Sequence, residues 1–173
     1  MFIYCIMGGG ILPVAIKNNK LYFLFSREAK IINYRYKDAG KWSDFGGSNE
    51  NNENRFQTAV REGWEESNGF LGDKKHIEYL IKNNTLKKIT INKYTTYVIL
   101  IDYDDTLPKR FRDNFLKKLE NDKKYVLEEN GYFEKDMLKW IRADKLKSYV
   151  NKKTFFRRFY HKVVNKVINI FTK

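Results

Sequence analysis

The chain has few of the residues on which several classes of small protein depend. Among its 173 residues there are one cysteine, two histidines and two prolines. A single cysteine forms no intramolecular disulfide, so we expect a reducing compartment. Cys5 lies in an apolar run, and we expect it to be a small buried hydrophobic residue. His76 and His161 have no cysteine or histidine partners at metal-ligand spacing, which argues against a zinc site.

Long apolar runs are also missing. The apolar N-terminal stretch, residues 1–16, is interrupted by Gly8–Gly10 and Pro13. It is shorter than the roughly 20 residues that a helix needs to cross a bilayer. It also lacks the basic start of a secretory signal, so we interpret it as strands and expect no stable membrane insertion. Together with the single cysteine, this favours the cytoplasm.

Acidic residues are scarce relative to basic ones. The net charge is +13, from 34 Lys and Arg against 21 Asp and Glu. Residues 152–173 carry seven of these cations and no acid, which leaves +6 on the rest of the chain. Such a field draws polyanions towards a site, so we expect a phosphate-bearing partner. With 42% hydrophobic and 16% aromatic residues, the chain has enough apolar material for a packed core.

Residues 54–69 have the pattern of a short helix with a buried side. Apolar or small residues recur at helical spacing and form a stripe: Phe56, Ala59, Val60, Gly63 and Trp64. Asn54, followed by Gln57 three positions later, predicts a capping box with Asn in place of the usual Ser or Thr. Asn68 and Gly69 tolerate a left-handed backbone, which predicts that the helix ends there.

Three carboxylates lie on the other side of this helix. Glu62, Glu65 and Glu66 have i, i+3, i+4 spacing and fall on an arc of roughly 100° outside the apolar stripe. Like charges this close destabilise a helix unless a cation lies among them. Mg²⁺ binds through a few carboxylates while it accepts substrate phosphates, so it suits this pattern. A solvated acidic face is the alternative that three glutamates by themselves allow.

The run from Gly47 to Glu66 resembles the Nudix box, Gly-x5-Glu-x7-Arg-Glu-U-x-Glu-Glu-x-Gly-U, where U is a bulky aliphatic residue. Six fixed positions match at the correct spacing: Gly47, Glu53, Arg61, Glu62, Glu65 and Glu66. Gly63 stands in place of an aliphatic residue, Asn68 in place of glycine, and Gly69 in place of the last aliphatic residue. These departures concern the end of the box rather than its acidic side. We expect Gly63 to weaken the helix by about 1 kcal/mol relative to alanine.

Similarity to Nudix proteins extends over about residues 8–150, through an opening hairpin at 10–28, the strand that leads into the box at 42–47, a later strand at 94–103 and a strand-to-helix step at 140–146. It implies an α/β fold, the α/β/α Nudix sandwich with a mixed sheet, to which this chain adds a basic amphipathic C-terminal helix. We therefore divide the chain into a Nudix hydrolase domain, 1–150, and a basic helix or tail, 151–173. The likeness is to decapping-type Nudix hydrolases of large DNA viruses, and for a viral protein the expected compartment is the host cytoplasm.

The resemblance also implies roles for the residues of the box. The glutamates are expected to ligate Mg²⁺ or Mn²⁺, with a backbone carbonyl at Gly46 as a further ligand and Glu66 as the essential one. The three metal-binding glutamates are Glu62, Glu65 and Glu66. Arg61 and Glu53 are expected to hold the loop and the helix together through an ion pair. The general base differs among Nudix proteins, and it is here either a box glutamate or a carboxylate of the loop before Trp140: Glu128, Glu129 or Glu134.

Three functions fit these features. The favoured one is hydrolysis of capped mRNA with release of 7-methylguanosine diphosphate, because the basic tail and several lysine pairs suit RNA. The second keeps the enzyme but changes its substrate to a diphosphoinositol polyphosphate or a small nucleotide, such as a dinucleoside polyphosphate or an NTP. The third is a non-catalytic binding module with the Nudix fold.

The C-terminal tail has one apolar and one basic side. Its apolar residues form a continuous helical stripe: Phe156, Phe159, Tyr160, Val163, Val164, Val167, Ile168 and Phe171. Such a helix docks on its own domain, serves as a nucleic-acid-binding arm or lies on a membrane surface. The sequence leaves all three arrangements open.

Overall fold

The computed structural model describes residues 7–30, 37–128 and 131–172 of the chain, and our expectations for Cys5 and Glu129 lie outside these ranges. In the described part, seven strands form one mixed sheet. They are β1 (Gly8–Lys17), β2 (Lys20–Glu28), β3 (Trp42–Ser43), β4 (Phe45–Ser48), β5 (Thr85–Ile91), β6 (Tyr94–Leu100) and β7 (Lys135–Arg142). The helices of this part are α1 (Arg55–Glu66), α2 (Lys74–Asn83), α3 (Leu107–Asn121), α4 (Lys123–Leu127), α5 (Leu146–Val150) and α6 (Tyr160–Phe171).

Strand β1 lies at the centre of the sheet. One of its edges pairs in parallel with β6, and the other pairs antiparallel with β4 along its first half and with β2 along its second half. Strand β2 also pairs with β3 and β7, and β5 pairs with β6. The turn-prone pair Asn18–Asn19 forms the predicted hairpin turn between β1 and β2, with positive φ at both residues.

Alternate residues of the strands face two different cores. In β2, Leu24 faces the core that α1, α2 and α3 cover, whereas Phe23 and Phe25 face the core that α5 and α6 cover. This alternation follows from the two-residue period of a β-strand. The molecule therefore has helices on both faces of a mixed sheet, which confirms the predicted α/β/α sandwich.

The tail folds back onto the sheet. Its apolar side lies in the core, where five side chains are fully buried: Phe156, Tyr160, Val163, Val164 and Val167. Two backbone hydrogen bonds attach the segment before α6 to β3. The Trp42 amide donates to the Phe155 carbonyl, and the Arg157 amide donates to the Trp42 carbonyl. The structure thus has the docked helix, with five residues of its apolar stripe fully buried in the core. Across the described ranges, none of the helices has the length and apolar character that crossing a bilayer takes.

Candidate functional site

Helix α1 begins and ends as its sequence predicts. The Asn54 side chain accepts hydrogen bonds from the amides of Phe56 and Gln57, and the Gln57 side chain accepts one from the Asn54 amide. These bonds complete the capping box and satisfy amides that a helix start otherwise leaves unpaired. Beyond the last turn, Asn68 and Gly69 both have positive φ. Local signals therefore position the helix that carries the carboxylates.

The departure of Gly63 from the box has a steric explanation. A Cβ atom at this position would lie 2.7 Å from Ile11 Cδ1 and 3.2 Å from Ile77 Cγ2. Ile11 belongs to β1 and Ile77 to α2, and both are fully buried. Close packing of α1 against these elements takes the space that an aliphatic side chain would need.

Arg61 joins the loop before α1 to the acidic side of the helix. Its guanidinium donates from Nε and Nη2 to the two oxygens of Glu53 at 2.9 and 3.0 Å, and from Nη2 to the Ser48 carbonyl at 2.9 Å. Its Nη1 lies 2.9 Å from Glu62 Oε1 and 3.0 Å from Glu65 Oε2. Burial lowers the pKa of Arg61, but these carboxylates outweigh it and raise the pKa above its ordinary value. The ion pair that the resemblance implies is present.

Glu62 and Glu66 are buried between α1 and the glycine-rich strand β4. Glu66 is 3% exposed and accepts a 2.6 Å hydrogen bond from the Gly46 amide. Gly47 lies against Glu62, and a Cβ atom at Gly47 would collide with the Glu62 carboxylate. Two of the three carboxylates on the acidic side are therefore covered by β4, whereas Glu65 is partly exposed. Gly46 contacts the site through its amide, and its role as a carbonyl ligand stays a prediction.

The surroundings of these two glutamates disfavour their ionised forms. Burial raises the pKa of Glu62 to about 7; Arg61 opposes this rise and the charge of Glu134 adds to it. Burial also raises the pKa of Glu66 well above its ordinary value, and the charge of Lys135 opposes this rise. Neighbouring carboxylates of this kind are typical of functional sites, because a bound cation relieves their repulsion.

A buried lysine, which the sequence did not point to, lies beside the box. Lys135, the first residue of β7, is fully buried; its Nζ lies 3.1 Å from Glu66 Oε1 and forms an ion pair with Glu28. Arg157 of the tail also contacts Glu28, at 3.0 Å, and Asp38, at 3.1 Å. Lys135 stands in a run of charged residues that is typical of a surface loop, so its sequence surroundings give no sign of burial.

Asp44 is a second acid that the sequence analysis did not single out. It lies between β3 and β4, is fully buried, and accepts hydrogen bonds from Tyr94 Oη at 2.9 Å and from Thr96 Oγ1 at 2.8 Å. Burial raises its pKa to about 6, although the two hydroxyl groups oppose this rise. These bonds tie the glycine-rich strand to β6 next to the box.

The donor chemistry of the box fits a hard divalent cation. The oxygens come from Glu62, Glu65 and Glu66, and carboxylates are the ligands that Mg²⁺ uses in proteins. Within residues 7–30, 37–128 and 131–172, no three acidic, histidine or cysteine side chains converge as a ready-made metal cage. The carboxylate oxygens face Arg61 and Lys135 instead. A metal ion held by these residues would replace their contacts with Arg61 and Lys135.

The three loop carboxylates considered as general base differ in position. Glu134 is half-buried, and its charge is among those that raise the pKa values of Glu62 and Glu66. Glu128 is exposed at the end of α4. Glu129 lies outside the described residues. The structure thus brings Glu134 to the box, and its catalytic role stays a prediction.

Comparison with known proteins identifies the fold. No protein-family model matches the chain, and no curated protein sequence matches it. Among solved structures it is similar to a Nudix hydrolase from Alicyclobacillus acidocaldarius, with a TM-score of 0.52 and 14% identity over 98% of this chain and 93% of that one. A Nudix hydrolase from M. smegmatis has a TM-score of 0.49 and 13% identity over 98% and 90% of the two chains. The Ap4A hydrolase of C. elegans has a TM-score of 0.49 and 13% identity over 97% and 98%. The similarity to the Alicyclobacillus acidocaldarius structure shows that the chain has the fold of Nudix hydrolases.

Proposed function

We propose that the protein is a divalent-metal-dependent hydrolase of phosphoanhydride bonds. The observation that carries the proposal is the arrangement of the box carboxylates. Glu62 and Glu65 meet at one nitrogen of Arg61, and Glu66 lies buried beside Gly46. Acidic groups held together in this way, two of them buried, are favourable for binding a cation, and they give a non-catalytic module no evident advantage.

The residues of the chain prepare the site for the reaction. A bound Mg²⁺ or Mn²⁺ ion would neutralise the charge of the diphosphate oxygens and lower the pKa of the attacking water. Arg61 holds Glu62 and Glu65 next to each other, and Gly47 lets the Glu62 carboxylate lie against β4. Glu134, half-buried beside the box, is our candidate for the group that accepts the proton of the attacking water.

Capped RNA is the substrate that we favour, with 7-methylguanosine diphosphate as the product. The net charge of +13 supports a polyanionic substrate, and the docked tail still exposes Lys162 and Lys166. Diphosphoinositol polyphosphates and small nucleotides, such as dinucleoside polyphosphates or NTPs, are the alternatives that the same charge accommodates. The setting that goes with this proposal is the cytoplasm, that of the host if the chain is viral.

Product analysis with the purified protein tests the proposal. Capped RNA, a diphosphoinositol polyphosphate and a nucleotide panel are each incubated with Mg²⁺ or Mn²⁺. The variants are Glu65→Gln and Glu66→Gln, and Glu78→Gln on the outer side of α2 is the matched control. We expect the two box variants to lose about 100-fold or more in turnover, as groups that take part in the chemical step do, and the control to match the wild type. Thermal unfolding shows whether each variant is folded.

The products decide between the substrates. Release of 7-methylguanosine diphosphate by the wild type and the control variant establishes capped RNA as a substrate. Release of orthophosphate or mononucleotides with intact RNA assigns a small-molecule substrate instead. If the folded wild-type protein turns over none of these compounds with either metal, the enzyme proposal is wrong and the binding module is the better description.

A further inference from the structure

The Tyr94 hydroxyl lies against the backbone of the glycine-rich strand β4. A Cβ atom at Gly46 would collide with this hydroxyl, and so would a Cβ atom at Gly10, the residue of β1 that pairs with Gly46. The two facing glycines therefore leave the space that the hydroxyl fills. Because Gly46 has no side chain of its own to pack, the contact with Tyr94 restricts the position of its backbone.

Asp44 holds the Tyr94 hydroxyl in this position. Tyr94 Oη donates a 2.9 Å hydrogen bond to one oxygen of the fully buried Asp44 carboxylate, and Thr96 Oγ1 donates a 2.8 Å bond to the other oxygen. Burial raises the pKa of Tyr94 well above its ordinary value and the charge of Asp44 adds to the rise, so the hydroxyl keeps the proton that it donates. Hydrogen bonds to a charged acceptor are the stronger ones, and this bond anchors the hydroxyl.

The backbone of Gly46 also reaches the box. Its amide donates a 2.6 Å hydrogen bond to Oε2 of Glu66, a side chain that is only 3% exposed. The other oxygen of this carboxylate, Oε1, lies 3.1 Å from Lys135 Nζ. The orientation of the Glu66 carboxylate thus depends on where β4 places the Gly46 amide. A series of direct contacts leads from Asp44 through Tyr94 and Gly46 to Glu66.

We propose that Tyr94 is a positioning residue for the box: anchored by Asp44, its hydroxyl fixes Gly46, and the Gly46 amide orients the Glu66 carboxylate for metal binding. Tyr94 supplies no ligand atom in this scheme and acts through Gly46 alone. The inference rests on the proposed function, because the orientation of Glu66 matters for a metal only if the box binds one. The alternative is a purely structural role, in which the bonds to Asp44 stabilise the sheet and nothing more.

Hydrogen exchange of the Gly46 amide tests the first step without any metal. It is followed by NMR on the full chain at pH 7.5, above the pKa of about 6 of Asp44, so that the carboxylate accepts both bonds. Tyr94→Phe keeps the ring and removes only the hydroxyl. Relative to the amides of α3, we expect the Gly46 amide to exchange about tenfold faster in this variant, because the contact that restricts its backbone is lost.

Two variants control for the loss of a buried hydroxyl. Thr96→Val removes the other hydrogen bond to Asp44 and leaves the Tyr94 hydroxyl in place. Tyr160→Phe makes the same chemical change as Tyr94→Phe at a fully buried tyrosine of α6, whose hydroxyl forms no hydrogen bond within the part of the chain that the structure describes. We expect both to keep the wild-type exchange of Gly46, whatever their unfolding temperatures.

Mn²⁺ affinity, measured by electron paramagnetic resonance of the free ion, tests the second step. We expect Tyr94→Phe to weaken Mn²⁺ binding about tenfold and the two controls to stay within about twofold of the wild type. At saturating metal, Tyr94→Phe should lower kcat and leave KM unchanged, because the substrate keeps its contacts while a metal ligand is misplaced. Asp44→Asn keeps the size of the side chain and removes the charge that anchors Tyr94, so it should change Gly46 exchange and Mn²⁺ affinity in the same direction, by about threefold.

The outcomes separate this inference from the proposed function. Wild-type Gly46 exchange and wild-type Mn²⁺ affinity in Tyr94→Phe overturn the positioning role, and equal changes in Tyr94→Phe and Thr96→Val reduce it to a structural one. If the wild type binds no Mn²⁺ and hydrolyses nothing, but Gly46 exchanges faster in Tyr94→Phe alone, Tyr94 fixes Gly46 and the enzyme proposal fails. If the wild type is a metal-dependent hydrolase and Tyr94→Phe matches it in exchange, affinity and kcat, the enzyme stands and the positioning role is refuted.

Discussion

The substitution Lys135→Met removes the cation buried beside the box and keeps an unbranched side chain in its place. In the wild type, the Lys135 amino group compensates both Glu66 and Glu28. After the substitution, Glu28 keeps its ion pair with Arg157, whereas Glu66 keeps the hydrogen bond from the Gly46 amide. Removal of one partner of a buried ion pair costs about 3–5 kcal/mol. We expect the free energy of unfolding at pH 8 to fall by about 3 kcal/mol. This is the lower end of that range, because the hydrogen bond from the Gly46 amide to Glu66 remains.

The size of this loss should depend on pH in a defined direction. Burial raises the pKa of Glu66 and Lys135 opposes the rise, so removal of the lysine raises the pKa of Glu66 further above its unfolded value. A carboxyl group with a raised pKa in the folded state stabilises folding at low pH, and this contribution is lost as the pH rises through the folded pKa. The difference between variant and wild type should therefore be small at pH 5 and grow as the pH rises to 8.

Urea unfolding, followed by tryptophan fluorescence at pH 5, 6.5 and 8, measures this difference. The set comprises the wild type, Lys135→Met, Glu66→Gln and the double variant, which form a double-mutant cycle. In the double variant the buried carboxylate is gone as well, so the loss caused by Lys135→Met should shrink. The reasoning is refuted if Lys135→Met loses less than about 1 kcal/mol at pH 8, as an exposed ion pair would. An equal loss at pH 5 and pH 8 also refutes it.

Three further predictions concern single side chains. The pKa of Asp44 is raised from 3.8 to about 6. The stability of the wild type relative to Asp44→Asn should therefore fall by about 2.4 kcal/mol between pH 4 and pH 8 in urea unfolding, and a flat difference contradicts this. Gly63→Leu should lower the free energy of unfolding by about 2 kcal/mol or more, since even a Cβ atom lies 2.7 Å from Ile11 Cδ1, and a stabilised variant in calorimetry contradicts this. Val164 is fully buried, so Val164→Ala should lower the free energy of unfolding by about 2 kcal/mol. Lys166 is exposed, so Lys166→Ala should lower it by less than about 0.5 kcal/mol, and equal effects of the two substitutions contradict the docked tail.

The parts of the site that depend on neighbouring residues were predictable from the sequence. The start of α1 is set by Asn54 and Gln57 and its end by Asn68 and Gly69, all within a turn of the helix ends. Such signals act over three or four residues, so a sequence pattern captures them. The resemblance to Nudix proteins, which the box and the flanking segments carry, was likewise enough to predict the α/β/α fold.

Burial in the site was not predictable, because it depends on contacts between distant segments. The helical arc of Glu62 and Glu66 lies outside the apolar stripe, which by itself indicates an accessible side. The structure instead places β4 over these glutamates, with the Gly46 amide bonded to Glu66. No local pattern marks Lys135 as buried, since its burial results from the pairing of β7 with β2. The catalytic and metal-binding roles of the box residues stay predictions.

The ion pairs around Glu66 make the tail part of the same electrostatic unit as the box. Charges alternate from Glu66 to Lys135, Glu28, Arg157 and Asp38, and these residues come from α1, β7, β2, the tail and the loop before β3. Buried Glu66 thus has a cation from another element, as a buried charge requires. Arg157 and Lys135 both form ion pairs with Glu28. Because Arg157 neutralises part of the Glu28 charge, Lys135 can stabilise the Glu66 carboxylate more strongly. Removal of the tail should therefore change the surroundings of Glu66 as well as expose the core that α6 covers.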